Sequence, residues 1–279
     1  MNQFPRTQLD GISVSRLVAG SNWFLGYAHQ TKARTNWIVE NQNAKKVGKI
    51  LEVFLRSGVN IAMGTNPMLS EGVKIAQQRT GAKMHLIGTP SFKLTPKGPD
   101  WDDVARELDA CGKLGSTFCW PHQQITDALY DGLSGKIRHM ERIAKMTRER
   151  NMIPGLSTHN PVCIMAADRQ KLDVASYISI FNSAGFLMQV EIDWTLNVIH
   201  NAAKPVTTIK PMAAGRVMPY VAMPFVWSVL RDIDLVTVGT TTPEEAQELI
   251  EMSLAAIEKR QANRELQFTR SKAALVKKS

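Results

Sequence analysis

Residues 185–215 read GFLMQVEIDWTLNVIHNAAKPVTTIKPMAAG. Two apolar runs stand out, 186–192 (FLMQVEI) and 206–211 (VTTIKP), separated by a short connection and a Lys-Pro start. Both end in polar groups: Gln189, Glu191 and Asp193 on the first, Lys210 on the second. Buried runs whose polar ends converge are how a parallel barrel assembles a site at the C-terminal mouth of its strands. Side chains alternate along a strand, so Gln189, Glu191 and Asp193 share one face, and if that face points inward it places Glu191 near the mouth.

The same alternation extends over the whole chain. Strand-like runs fall at 13–20, 59–64, 84–90, 116–121 and 152–157, then at the two runs above, and last at 235–239. Between them lie segments of helical period: 44–57, 70–81, 100–115, 136–150, 161–172, 224–232 and a last helix opening on Thr242-Pro243-Glu244-Glu245. Residues 21–37 (SNWFLGYAHQTKARTNW) read as a long aromatic loop after the first strand, of the kind that tends to be functional. Eight strands alternating with helices predict an α/β fold, a single (β/α)8 TIM barrel over 1–266 with a basic tail at 267–279.

Charge and cysteine use narrow the class. The net charge of +9 is concentrated at the end of the chain, where residues 259–279 hold seven Lys or Arg and one Glu. That tail holds a single aromatic, Phe268, and no repeated aromatic interleaving for base stacking, so it reads as a solvated end and not a nucleic-acid site. Cys111, Cys119 and Cys163 form no CxxC pair and lie in apolar settings, as reduced thiols do. No apolar run reaches membrane-spanning length and residues 1–11 lack a signal-peptide core, so a cytoplasmic protein with a small-molecule substrate, as a monomer or homo-oligomer, is expected.

In a barrel, polar residues just past the strands are the site candidates. Here they are Asn22 and His29 after strand one, Asn66 after strand two, His122 after strand four and His159 after strand five. Glu191 and Asp193 follow strand six, Lys210, Gly215 and Arg216 strand seven. Glu191, Lys210, His122 and His159 are the expected catalytic set. Asn22, His29, Asn66, Asp193, Gly215 and Arg216 are the expected substrate contacts. His122, His159 and Glu191 together could ligate a divalent metal. Lys210 has three readings: an ion-pair partner for Glu191, an anion clamp, or a desolvated Schiff-base nucleophile. Gly239 and Thr240 open the last helix, a place where backbone N–H groups can hold phosphate.

With those residues placed, the chain resembles the aldo/keto reductase superfamily. LDGISVSRLVAG is similar to its opening strand segment, SGVNIAMGTNPMLSEGV to its second strand, and GLST to its fifth. MQVEID is similar to an Asn-Gln-Val-Glu strand, KPMAAGRV to a Pro-Leu-x-x-Gly loop, and VGTTTPEEAQELIE to the cofactor-phosphate loop and last helix. The resemblance implies NADPH, with Ser157 and Gln189 at the nicotinamide amide and Gly239 and Thr240 at the phosphate. It also implies a catalytic tetrad, but the Asp falls near Ala62, the Tyr near Pro67 and the Lys near Pro90, and only His122 matches. The aromatic residue that stacks on the nicotinamide falls near Ile209. AGSNWFLGYAH, GLSTH and IKPMAAGRVMP resemble a divergent branch of these barrels and add weight to Asn22, His29, His159 and Lys210.

The expected function is therefore a non-redox lyase, isomerase or epimerase acting on a small polyhydroxylated or carbonyl substrate, with a divalent metal as candidate cofactor. The alternative is a divergent NADPH-dependent reductase using His122. A third reading is a binding barrel without chemistry.

Overall fold

The computed structural model describes residues 3–263; the basic tail assigned to 267–279 lies outside them. Eight parallel strand positions close on themselves: β1 (Leu17–Gly20), β2 (Ile61–Met63), β3 (His85–Gly88), β4 (Ser116–Cys119), β5, β6 (Tyr177–Ile180), β7 (Val206–Ile209) and β8 (Leu235–Gly239). Closure comes from β8 on β1, with Val236 opposite Leu17 and Gly239 opposite Gly20. The fifth strand is in two pieces. Ile153–Pro154 pairs with β4, and Leu156–Ser157 pairs with β6. Gly155 breaks it because the Trp120 indole lies against its Cα; an added Cβ would fall 2.3 Å from the ring. The sheet therefore counts nine strands and eight positions, and it is the (β/α)8 barrel that the alternation predicts.

Alternation along each strand sorts the core into two layers. Val18, Ile61, Ile87, Phe118, Ile178 and Leu235 fill the barrel interior, together with Trp120. Leu17, Ala62, Leu86, Cys119, Tyr177 and Val236 face the helices instead. Each large apolar side chain so buried contributes roughly 1.5–3 kcal/mol. Residues Arg6–Leu9 and Ile12–Ser15 form an antiparallel hairpin turning at Asp10-Gly11, both with positive φ. Leu9 and Val14 of that hairpin are fully buried in the interior cluster, so it plugs the bottom of the barrel.

The outer helices are α1 (Lys32–Asn41), α2 (Ala44–Arg56), α3 (Pro67–Thr80), α4 (Trp101–Lys113), α5 (Gln123–Leu129), α6 (Met140–Arg148), α7 (Val162–Gln170), α8 (Ile192–Asn201), α9 (Pro219–Val229) and α10 (Pro243–Ile257). Within the expected loop at 21–37 the structure has most of α1, capped by the Thr31 hydroxyl accepting from Arg34 N–H at 3.2 Å. The helix expected at 136–150 starts only at Met140, after a short hairpin of Tyr130–Asp131 and Lys136–Ile137. That expected at 224–232 begins instead at Pro219.

One correction matters for function. The sixth strand is Tyr177–Ile180, four buried residues, and not 186–192. After it, Asn182 folds the chain back through an Asx-type turn, its Oδ1 accepting from Ala184 N–H at 3.2 Å and Phe186 N–H at 2.8 Å. Residues 186–191 are loop with Leu187 at positive φ, and Glu191 is the exposed N-cap residue of α8. Of the apolar residues that mimic a strand there, Met188 and Ile192 pack against the helix-facing core and Leu187 is exposed. Among the described residues no helix is long and apolar enough to cross a membrane.

Candidate active site

At the C-terminal mouth of the strands lies a cavity of about 250 Å³. Its floor comes from inward positions of the strands, Gly20, Met63, Ser157, Ile178, Ile209, Thr237 and Gly239. Its walls come from the loops: Ser21, Asn22, Trp23, Tyr27, His29, Thr89, His122, Gln123, His159, Lys210, Pro211, Met212 and Ala214. Among the described residues no Asp or Glu lines it.

Three histidines and one lysine dominate its chemistry. His122 is the N-cap residue of α5, its Nδ1 accepting from Gln124 N–H at 3.4 Å. A neutral ring that accepts at Nδ1 carries its hydrogen on Nε2. Burial and the Lys210 charge lower its pKa, opposed by Asp127. His159, two residues past β5, is pushed down to about 4 by burial, then by Lys210, His122 and His29. His29, at the rim with φ of 51°, is lowered by burial, Lys210 and Arg216. At neutral pH all three rings are thus held in the neutral form, able to donate and accept.

Lys210 directly follows β7 and is half-buried. Its backbone is left-handed, with φ of 59°, as are Ala213 and Ala214 just beyond. Such conformations cost a non-glycine residue roughly 1–3 kcal/mol and cluster at functional sites. The turn is held by Lys210 C=O accepting from Ala213 N–H at 2.9 Å. Burial lowers the Lys210 pKa. Among the described residues no carboxylate pairs with its ammonium, so the ion pair with Glu191 does not form. Lysines bury without an acid only where the site has a use for them.

Two residues outside the sequence-based candidates complete the site. Asp127 of α5 accepts from Thr158 Oγ1 and from His159 N–H at 3.1 Å, so it fixes the loop that carries His159. Burial raises its pKa in spite of those hydrogen bonds. Its sequence signal was weak, since it lies inside a helix and joins the site only through the loop after β5. Thr237 on β8 lines the cavity, and its Oγ1 is buried with no hydrogen-bond partner. Orphaned buried hydroxyls are rare and call for an explanation, which a bound oxygen or N–H would supply.

The remaining candidates divide. Asn22, His29, His122, Ser157, His159, Lys210 and Gly239 line the cavity. Gly215 and Arg216 sit at its edge, the Arg216 guanidinium 4.1 Å over the Phe186 ring. Asn66 instead caps α3, accepting from Met68 N–H at 2.8 Å. Gln189, Glu191 and Asp193 are exposed, because they belong to the loop before α8 and its first turn. With Glu191 absent from the mouth, the expected metal triad of His122, His159 and Glu191 does not assemble. Among the described residues no three His, Cys, Asp or Glu are placed to hold a metal ion. All three cysteines are free and buried.

The start of α10 is already saturated. Glu245 accepts from Thr241 N–H at 2.6 Å and from its hydroxyl at 2.9 Å, while Thr242 Oγ1 accepts from Glu245 N–H at 3.1 Å. This is a variant of the capping box, with the chain's own carboxylate on the Thr241 N–H, one of the donors a phosphate would use there. Gln42 Nε2 covers it by donating to Thr241 C=O at 2.7 Å, and Thr240 is buried. Trp23 lies directly on Gly239, whose added Cβ would fall 2.6 Å from the indole.

No family model and no curated protein matches the chain. Solved structures do. An aldo-keto reductase from Pseudomonas aeruginosa aligns at a TM-score of 0.65 and 14% identity, covering 90% of this chain and 95% of its own. One from Brucella melitensis gives 0.55 and 12%, covering 92% and 99%. One from Klebsiella pneumoniae, solved with NADP and acetate, gives 0.55 and 12%, covering 98% and 94%. The fold is an aldo/keto reductase-like TIM barrel.

Proposed function

We propose that the cavity is the active site of an enzyme acting on a small carbonyl compound that carries an anionic or polyhydroxylated part, by non-redox proton transfer. The observation behind this reading is Lys210 inside a 250 Å³ cavity with three neutral histidines and no lining carboxylate. A lysine there meets an electron-rich oxygen or an electrophilic carbon, and neutral imidazoles on two sides can give and take protons without a large pKa mismatch. Thr237 lines the same cavity. Glu191, exposed on the α8 N-terminus, is left out of this scheme.

The test is proton exchange. A panel of keto acids, hydroxy acids and sugar phosphates in deuterated buffer is followed by NMR. Wild type should wash deuterium into the carbon next to the carbonyl of its preferred compound, and Lys210→Met should not. Exchange that survives in Lys210→Met would sink the assignment.

The likeness to solved reductases, one of them holding NADP, favours a second reading, an NADPH-dependent reductase. Ser157 and Gly239 at the cavity support it. The residues as arranged do not fit a dinucleotide, however. Glu245 holds the Thr241 N–H just ahead of α10, Trp23 covers Gly239, and Gln189 is on an exposed loop. Saturable micromolar NADPH binding with turnover of the nicotinamide would decide for the reductase.

A further inference from the structure

We infer that Lys210 is a covalent nucleophile, its Nζ condensing with the carbonyl of a small keto or aldehyde substrate to form an imine within this cavity. The inference rests on the carbonyl reading above and names the chemistry of its central residue. It stands on three geometric facts. Lys210 follows the end of β7 in a left-handed turn and lines the cavity, beside Ile209 and Met212. Among the described residues no acidic side chain lines that site to hold the amine as an ammonium. His122 and His159 line the same cavity as Lys210. An anion clamp needs a persistent cation, whereas a nucleophile needs the free amine, and desolvation without a counter-ion favours the amine. Burial lowers the Lys210 pKa in the same sense.

The step balances without a further reactant. The Nζ lone pair forms a C–N bond to the carbonyl carbon while the C=O π pair moves to oxygen. A histidine takes one amine proton, and the oxygen gains one, giving a carbinolamine. A histidine gives a second proton to that hydroxyl, which leaves as water while the nitrogen lone pair closes the C=N bond, and the histidine takes back the proton left on nitrogen. The products are imine and one water, and hydrolysis restores the lysine. Protonated, the imine acidifies the neighbouring C–H for exchange or isomerisation, with Asp127 acting only as a positioning residue through His159.

Formaldehyde with cyanoborohydride tests the nucleophile independently of the true substrate, because it enters any cavity. Brief isotopic methylation of the full-length protein at pH 7, mapped by mass spectrometry, should label Lys210 several-fold faster than the exposed lysines such as Lys45 and Lys49. Pyruvate with cyanoborohydride should leave a reduced adduct at Lys210 that is missing from Lys210→Arg. A folded Lys210→Arg, judged by its thermal melt, keeps the adduct arm interpretable. Labelling of Lys210 at or below the exposed lysines overturns the inference. If pyruvate still quenches tryptophan fluorescence saturably, with that quench lost in Lys210→Met, the lysine is a charged clamp and the carbonyl reading survives. If labelling lags and no quench occurs, the carbonyl reading falls with it.

Discussion

Gly155→Ala should be among the most damaging single-methyl additions in the molecule. The new Cβ would lie 2.3–2.4 Å from Cδ1, Nε1 and Cγ of Trp120, where ordinary contact begins beyond 3.4 Å. More than an ångström of clearance has to be found, and Trp120 is fully buried in the barrel interior with nowhere to retreat. Overpacking of this kind costs typically about 1–3 kcal/mol. At roughly 2–4 °C per kcal/mol for a domain near this size, the melting temperature should fall by several degrees. The backbone yields where it is weakest, at the break in β5, and β5 carries Ser157 and His159. A shift of about 1 Å at such a site can cost about a hundredfold in rate. Gly112→Ala, in α4 with nothing within 4 Å of its added Cβ, is the matched control and should stabilise by about 0.5 kcal/mol. Urea melts of both variants compare the same chemical change with opposite expected signs. Equal stability of Gly155→Ala and wild type would refute the packing account of the split strand.

Three further outcomes follow from the site. Burial keeps His159 neutral down to about 4, while the unfolded chain protonates near its ordinary 6.5. Between those values the unfolded state binds the extra proton, so stability should fall as pH drops from about 6.5 to 4 and level off below. His159→Gln should flatten that slope in urea midpoints taken across the window. Thr237→Val removes a buried hydroxyl with no partner and should raise stability by about 1 kcal/mol while weakening substrate, measured as a rise in KM. Asp127→Asn weakens the hold on the His159 loop and removes the charge that raises the His122 pKa. Activity should drop with the low-pH limb of its profile moved down, whereas a merely structural role would leave the profile in place.

Most of the fold was legible because strands and helices differ in period, and the run 235–239 or the helix 100–115 carries its period plainly. The bottom hairpin was legible too, since Asp10-Gly11 between short apolar runs is a strong hairpin signal, but it was absorbed into the first strand. Residues 186–192 misled because half-buried apolar residues of a loop alternate there with exposed polar ones much as in an edge strand. The true sixth strand, Tyr177–Ile180, alternates nothing because both of its faces are buried.

By itself, the sequence determined the barrel and the order in which its loops reach the mouth, because both depend on local period and strand direction. It therefore placed Asn22, His29, His122, His159 and Lys210 at one end. What only the tertiary structure decided was company. Glu191 left the site, since a strand residue and a residue eleven positions past the strand end up in different places. Lys210 lost its expected partner, and Asp127 and Thr237 joined from segments with no motif. The capping box at Glu245 occupied the place a phosphate would take. Those are relations between residues distant in the chain, and no local pattern encodes which charged group a folded cavity leaves unpaired.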